Sequence, residues 1–144
     1  MTELTDGDKV AIATLTQKVI SSWAYADAET FAGVFTDDGT MVLPGLFKKG
    51  KAEIQAYMEK AFAGVYKGTQ VTGKPVDMRP LGRDAAILLS QGGVLDAGES
   101  EVADSAAIRA AWVVVKVDGE WKLAAYQNSP RDAVEGVKTE KSAA

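Results

Sequence analysis

The stretch of sequence that decides the fold is IRAAWVVVKVDGEWKLAAYQNSP, residues 108–130. Two apolar runs rich in β-branched residues flank Asp118-Gly119, which is the strongest short-range signal for a two-residue hairpin turn. Pairing Val117 with Glu120 then fixes the register of the hairpin. Uninterrupted alternation predicts a first face of Ala110, Trp112, Val114, Lys116, Trp121, Leu123, Ala125 and Gln127, and a second face of Arg109, Ala111, Val113, Val115, Lys122, Ala124, Tyr126 and Asn128.

Both faces of this hairpin are mostly apolar, whereas a half-solvated antiparallel hairpin alternates apolar with polar residues. We therefore expect the chain's own helices to cover the first face. A second copy of the chain would cover the other face, which we call the outer face, and form a homodimer. The first face ends in the neutral amide of Gln127 beside aromatic surface, an arrangement typical of a polar anchor in a ligand pocket.

The length of 144 residues predicts one domain, with 47% hydrophobic and 25% charged residues as in an ordinary globular protein. We place this domain at residues 1–130. Residues 131–144 are polar, small and unpatterned, and are predicted to form a mobile tail.

Net charge and segment composition exclude several partners. A net charge of −4 disfavours nucleic acid and anionic membrane, because both are bound through basic patches. The longest apolar run is far shorter than the roughly 20 residues of a membrane span. The first residues, MTELTDGDK, lack the basic and apolar regions of a secretory signal. The expected location is therefore the cytoplasm.

The absence of His and Cys restricts the chemistry available to the chain. It removes imidazole acid–base catalysis, thiolate nucleophiles and the usual zinc and copper sites. No clustered acidic motif points to magnesium. We expect no metal and no cofactor, and any catalysis would depend on carboxylates, Tyr, Lys, Arg or Ser.

The order of predicted elements is typical of an α+β protein. Apolar spacing predicts helices over residues 6–25 and 51–65, and a short helix that Asp27 caps and that stops near residues 37–39. Strands are predicted over residues 40–43, 69–79, 84–95, 104–117 and 120–128. N-terminal helices packed on a curved antiparallel sheet would enclose a cone-shaped cavity.

Four segments in this order resemble one superfamily over about residues 8–130. They are Trp23–Gly39 (WAYADAETFAGVFTDDG), Leu43–Gly45 (LPG), Gly50–Ile54 (GKAEI) and Asp118–Ser129 (DGEWKLAAYQNS). The chain resembles the cystatin-like α+β-barrel superfamily of nuclear-transport-factor-2-like and SnoaL-like proteins, which implies a cone-shaped α+β barrel. The closing segment Trp121–Pro130 (WKLAAYQNSP) looks most like the SgcJ/EcaC group, whose name-giving members sit in enediyne antibiotic gene clusters.

The steroid-isomerase branch of this superfamily offers a residue-level comparison. Its general base is an Asp directly before the Pro of the first-strand motif, and the matching residue here is Leu43. Its oxyanion-hole Tyr lies eight residues before the Asp that opens the second helix, and the matching residue here is Val19. Both matching residues are aliphatic, so the resemblance implies that this enolisation machinery is absent.

The predicted cavity therefore has three alternative uses. It can bind or chaperone a hydrophobic secondary-metabolite intermediate, such as a polyene precursor of an enediyne. It can belong to a small cofactor-free enzyme, for instance a cyclase or isomerase, that uses the shape of the cavity and one or two groups from Asp38, Tyr57 and Gln127. It can also be vestigial in a dimerising assembly domain. The residues predicted to contact the ligand, for which a place in the ordinary core is the alternative, are Trp23, Phe31, Phe35, Leu43, Phe47, Tyr57, Phe62, Trp112 and Gln127. One of Ser90 and Gln91 must also point inward, and alternation does not say which.

Overall fold

The computed structural model describes residues 4–132. Three helices pack against a curved, unclosed sheet of six strands in the order β2-β1-β6-β5-β4-β3, so the predicted α+β class is confirmed. The elements are α1 (Asp6–Ala24), α2 (Ala28–Gly33), β1 (Phe35–Leu43), β2 (Leu46–Lys49), α3 (Lys51–Ala63), β3 (Gln70–Pro80), β4 (Ala85–Leu95), a 3₁₀ turn (Asp104–Ala106), β5 (Ala107–Val117) and β6 (Glu120–Pro130).

The sheet is mixed rather than antiparallel throughout, which corrects the sequence prediction. β1 pairs with β6 in parallel, and every other neighbouring pair of strands is antiparallel. Parallel pairing is possible because a long crossover, which contains α3 and four strands, separates β1 from β6 along the chain.

Helix α1 follows the prediction closely. Thr5 is its N-cap, and the Thr5 hydroxyl and the Asp8 carboxylate exchange hydrogen bonds with each other's backbone N–H groups in a capping box. The residues predicted to face the core, Ile12, Leu15, Val19 and Trp23, are all buried.

The second helix ends earlier than predicted. Asp27 caps it as expected, but the helix stops at Gly33 and β1 begins at Phe35. The spacing of Phe31, Val34 and Phe35 is helical, yet the Val34 carbonyl accepts a hydrogen bond from the Leu123 N–H at 2.8 Å. Pairing with β6 therefore overrides the local helical pattern, as tertiary contacts commonly do.

Strand β2 was not predicted. It pairs antiparallel with β1 across the Pro44-Gly45 turn and lies at the edge of the sheet. Its sequence, LFKK, has only two apolar residues, which is too short a pattern to identify a strand from alternation. Edge strands are often short and lysine-rich, which discourages pairing with other chains.

The hairpin turn has the predicted geometry, but the strand after it does not alternate without interruption. Asp118 and Gly119 both have positive φ, 51° and 81°, and Val117 pairs with Glu120 as expected. Leu123 then pairs with Val114 while Ala125 pairs with Val113.

Ala124 is therefore the extra residue of a β-bulge, and side chains beyond a bulge exchange faces. Tyr126 and Asn128 consequently point toward the helices, and Ala125 and Gln127 lie on the outer face. The predicted assignment of these four residues to faces was wrong.

The predicted tail falls mostly outside the described residues. Arg131 follows β6 and contacts the Asp104 carboxylate at 3.2 Å, while residues 133–144 are not described. Within residues 4–132, no helix has both the length and the apolar character needed to cross a membrane.

One buried carboxylate connects α1 to the hairpin. Asp8 Oδ1 accepts hydrogen bonds from Trp121 Nε1 at 3.0 Å and from Lys116 Nζ at 3.2 Å. The Trp121 hydrogen bond and then the Thr5 backbone N–H hold the pKa of Asp8 well below its usual range.

Because the pKa of Asp8 is lower in the folded state, its ionised carboxylate stabilises the fold at pH values above the unfolded-state pKa of about 3.9. This stabilisation is lost as the pH falls through the folded-state pKa. We expect Asp8→Asn to lower the free energy of unfolding at pH 7 and to lower it less at about pH 2, where protonation has already removed part of the stabilisation. The measurement is urea unfolding at both pH values. Asp6→Asn, an exposed neighbour on the same turn, is the control, and an equal loss from Asp8→Asn at both pH values would contradict this account.

Candidate functional site

A cavity of about 120 Å³ lies between the helices and the concave face of the sheet. α1, α2 and α3 contribute its roof, and all strands except β2 contribute to its wall. Among the residues around it are Val19, Ile20, Met41, Met58, Leu88, Ile108 and Leu123. Its surface is predominantly apolar, as in most small-molecule sites.

Five of the predicted ligand-contact residues lie on the cavity wall: Trp23, Phe31, Phe35, Leu43 and Trp112. The ring of Trp23 packs edge-on against Phe31, with their centroids 6.2 Å apart, and Phe31 lies 6.0 Å from Phe35. Rings held by neighbouring rings lose little further freedom when a ligand binds, so this wall is preorganised for flat or extended apolar molecules.

Both indole N–H groups on the wall are already paired within the protein. Trp23 Nε1 donates to Thr69 Oγ1 at 2.9 Å, and Trp112 Nε1 donates to Ser90 Oγ at 2.9 Å. Ser90 is thus the inward residue that sequence alternation left open, and Gln91 lies on the opposite face, where it accepts a hydrogen bond from Arg109. The two tryptophans present apolar ring surface, not free donors, to the cavity.

Tyr126 and Asn128 give the cavity a polar end. Asn128 Nδ2 donates to the Tyr126 hydroxyl oxygen at 3.0 Å, and the Tyr126 ring packs edge-on against Trp112 with centroids 4.9 Å apart. Asn128 Oδ1 is buried and, within residues 4–132, has no hydrogen-bond partner. Buried polar atoms are rarely left unpaired, so this atom indicates a place where a ligand or water can bind.

A second phenol, Tyr66, also lines the cavity, with its ring centroid 4.5 Å from that of Trp23. Burial raises the pKa of Tyr66 to about 12, and the nearby phenol of Tyr57 adds to the rise. Burial likewise raises the pKa of Tyr126, against the opposing effect of its hydrogen bond with Asn128. Both phenols therefore remain neutral hydrogen-bond donors at physiological pH.

Charge is missing from this wall. None of the described residues that line the cavity is Asp, Glu, Lys or Arg. Across residues 4–132, acidic side chains also form no group of three or more that could hold a metal ion. The arrangement can bind neutral groups and donate hydrogen bonds, but it offers no carboxylate to accept a proton from a bound molecule.

The other predicted site residues lie away from the wall. Phe62 packs behind it, edge-on to Trp23 at 5.4 Å, and Tyr57 is half-buried beside Tyr66. The remaining three predictions placed residues wrongly. They are Phe47, which is 61% exposed on the edge strand β2, Asp38, which is exposed on β1 and accepts a hydrogen bond from Thr36, and Gln127, which the bulge turns outward.

Sequence reasoning missed Tyr66, Tyr126 and Asn128 as cavity residues. Tyr66 follows α3 in a turn, where no periodic pattern assigns a face. Tyr126 and Asn128 were assigned to the outer face because nothing in the two consecutive alanines at 124 and 125 marks a bulge. Only the position of that bulge, or the cross-strand pairing, would have revealed them.

The sequence matches the family model described as SnoaL-like domain over residues 7–127. No curated protein matches it. A solved domain of unknown function with a cystatin-like fold from Nostoc punctiforme is 28% identical, with a TM-score of 0.83 over 91% of this chain and 82% of that chain.

Two further solved structures share the fold at lower identity. An NTF2-like protein from Novosphingobium aromaticivorans is 19% identical, with a TM-score of 0.77 over 90% of this chain and 85% of that chain. A ketosteroid isomerase-like protein from Erwinia carotovora is 18% identical, with a TM-score of 0.71 over 90% of this chain and 100% of that chain. The cystatin-like fold predicted from the sequence is thereby confirmed.

Proposed function

This chain belongs to the SnoaL-like domain family, and we propose that it binds a neutral, largely apolar small molecule in the cavity between its helices and its sheet. The observation that carries the proposal is the wall itself, which combines aromatic rings with neutral polar groups and has no charged side chain among the described residues. Burying a charged ligand there would cost free energy that no opposite charge repays.

Binding is favoured over isomerase-type catalysis by two aliphatic residues. Val19 and Leu43, which match the oxyanion donor and the general base of the steroid-isomerase branch, both lie on the cavity wall. An enolising enzyme needs a base within hydrogen-bond reach of the proton it removes. Neither side chain can act as one.

We propose further that the ligand is a hydrophobic secondary-metabolite intermediate, such as a polyene precursor of an enediyne. The support is the resemblance of the closing segment, residues 121–130, to the SgcJ/EcaC group. A long conjugated chain is flat and apolar, and it would pack against Trp23 and Trp112 without needing a charged partner.

A cofactor-free enzyme is the second candidate, and the two phenols favour it. Tyr66 and Tyr126 are neutral donors on the cavity wall, and such donors can stabilise negative charge that develops on a substrate oxygen. Cyclisation or isomerisation of a substrate that needs no strong base would be compatible with this arrangement.

Fluorescence titration of the tryptophans with naphthalene and with the polyene diphenylhexatriene tests the binding proposal. We expect saturable quenching with an affinity that is flat from about pH 6 to 8, because no group on the wall changes charge there. Asp38→Asn should leave this profile unchanged. A sigmoidal loss of affinity that Asp38→Asn removes would contradict passive binding, and the absence of saturable quenching would refute the proposal.

We also propose that the chain forms a homodimer through the outer face of β4, β5 and β6. The bulge removes Tyr126 from this face, but Leu89 remains 41% exposed, and Ala111, Val113 and Ala125 are its apolar neighbours. Contiguous apolar patches of this kind commonly mark subunit contacts in oligomeric proteins.

The prediction is that Leu89→Lys combined with Val113→Lys converts a dimer into a monomer. Light scattering at micromolar concentration measures the change in mass. Val65→Lys, which alters a more exposed apolar residue after α3, is the control and should leave the dimer intact. A monomeric wild type would show the interface proposal to be wrong.

A further inference from the structure

The polar end of the cavity is more specific than an apolar pocket requires. Asn128 donates a hydrogen bond from Nδ2 to the Tyr126 hydroxyl oxygen, while its Oδ1 acceptor is buried without a partner within residues 4–132. An apolar side chain at this position would avoid that cost. The unpaired acceptor therefore points to a hydrogen-bond donor on the bound molecule.

Tyr126 supplies the complementary donor. Its oxygen accepts from Asn128, so its hydroxyl hydrogen is directed elsewhere, and in the described part of the chain it donates to no protein acceptor. Edge-on packing against Trp112 fixes the ring. Because Tyr126 and Asn128 are two residues apart on β6, beyond the bulge at Ala124, both side chains emerge on the same face of the sheet.

We infer that Tyr126 and Asn128 form a recognition site for a hydroxyl group on an otherwise apolar ligand, an inference that rests on the proposed binding function. The ligand oxygen accepts the Tyr126 hydroxyl hydrogen, and the ligand hydrogen is donated to Asn128 Oδ1. A ketone or an ether accepts but cannot donate, so it leaves Oδ1 unpaired.

Ionised groups fit this site less well than an alcohol or a phenol. A carboxylate would be buried without a cation, and an ammonium group without an anion, because the described cavity wall has no charged side chain. Burial keeps Tyr126 protonated by raising its pKa, so its donor persists through the physiological range. The ligand class is thus a neutral, hydroxylated hydrophobic molecule.

Calorimetric titration with 2-naphthol, 2-methoxynaphthalene and naphthalene at neutral pH tests this inference. These probes share one ring system and differ in whether they donate and accept, only accept, or do neither. We expect 2-naphthol to bind about tenfold more tightly than either of the others, the scale of one or two net hydrogen bonds.

Variants assign the preference to the two residues. Asn128→Leu and Tyr126→Phe should each reduce the affinity for 2-naphthol toward that of the ether, so that the ratio of 2-naphthol affinity to naphthalene affinity falls. Gln127→Leu, the matched change on the outer face, should alter none of the three. The double variant Tyr126→Phe/Asn128→Leu should unfold at the same temperature as wild type or higher, whereas a merely structural pair would lower it.

The possible outcomes distinguish the hydroxyl site from apolar binding in the cavity. Equal wild-type affinities for 2-naphthol and 2-methoxynaphthalene would overturn the hydroxyl site and leave apolar binding standing. A preference that survives Asn128→Leu would also overturn the assignment. If none of the three probes binds, the cavity-binding proposal fails and the hydroxyl site fails with it.

Discussion

Replacing Trp112 by alanine should lower the free energy of unfolding by about 3–5 kcal/mol, the range for truncating a large buried aromatic side chain. The ring is only 6% exposed, and the substitution removes its edge contact with Tyr126 and its hydrogen bond to Ser90. It should also weaken naphthalene binding, since the ring forms part of the cavity wall. Urea unfolding and fluorescence titration measure the two effects.

Trp112→Phe separates ring packing from hydrogen bonding. The smaller ring keeps most of the apolar volume beside Tyr126, so its cost should be well below that of alanine. The remaining cost arises because the buried Ser90 hydroxyl loses its indole partner. A loss below about 1 kcal/mol for Trp112→Ala would mean that the ring does not support the wall as its burial implies.

The part of the fold that the sequence predicted well depends on local patterns. Thr5 and Asp8 form the capping box that begins α1, and Asp118-Gly119 forms the turn that begins β6. Each is a short-range signal whose physical cause, a side-chain cap or a positive φ, lies within a few residues. The helix and strand periods then assign the buried faces of α1 and β5.

The sequence predictions that were wrong concern residues whose structure depends on interactions between distant segments. Phe35 continues a helical pattern, yet it pairs with Leu123 on a strand almost ninety positions later. Ala124 carries no mark of a bulge, since alanine fits either face of a sheet. That one extra residue decides whether Gln127 or Asn128 enters the cavity, so the aromatic wall was predictable from sequence and its polar end was not.

The bulge at Ala124 therefore changes the expected chemistry of the ligand and leaves the fold class unchanged. With Gln127 as the anchor, the ligand would meet a single free amide. With Tyr126 and Asn128, it meets a hydrogen-bonded pair that offers one donor and one unpaired acceptor. The first arrangement would accept many polar groups, whereas the second favours a group that donates and accepts through one atom.

Glycines at the β3–β4 end of the wall give the other large expected effect. Gly92 pairs with Gly73 across β3 and β4, and both line the cavity. A Cβ atom added at Gly92 would overlap the carbonyl group of Thr72, which belongs to the backbone of β3 and cannot rotate away. A Cβ added at Gly73 meets nothing within 4 Å.

Gly92→Ala should consequently lower the free energy of unfolding by about 1–3 kcal/mol, the usual cost of forcing extra volume into a packed site. It should also weaken naphthalene binding, because β3 must move where Thr72 lines the cavity. Gly73→Ala should leave the free energy of unfolding unchanged or raise it by up to about 1 kcal/mol, because alanine reduces the conformational freedom of the unfolded chain. Urea unfolding measures the free energy for both variants. Equal changes for Gly92→Ala and Gly73→Ala would show that the close approach of the strands at Gly92 does not shape this end of the cavity.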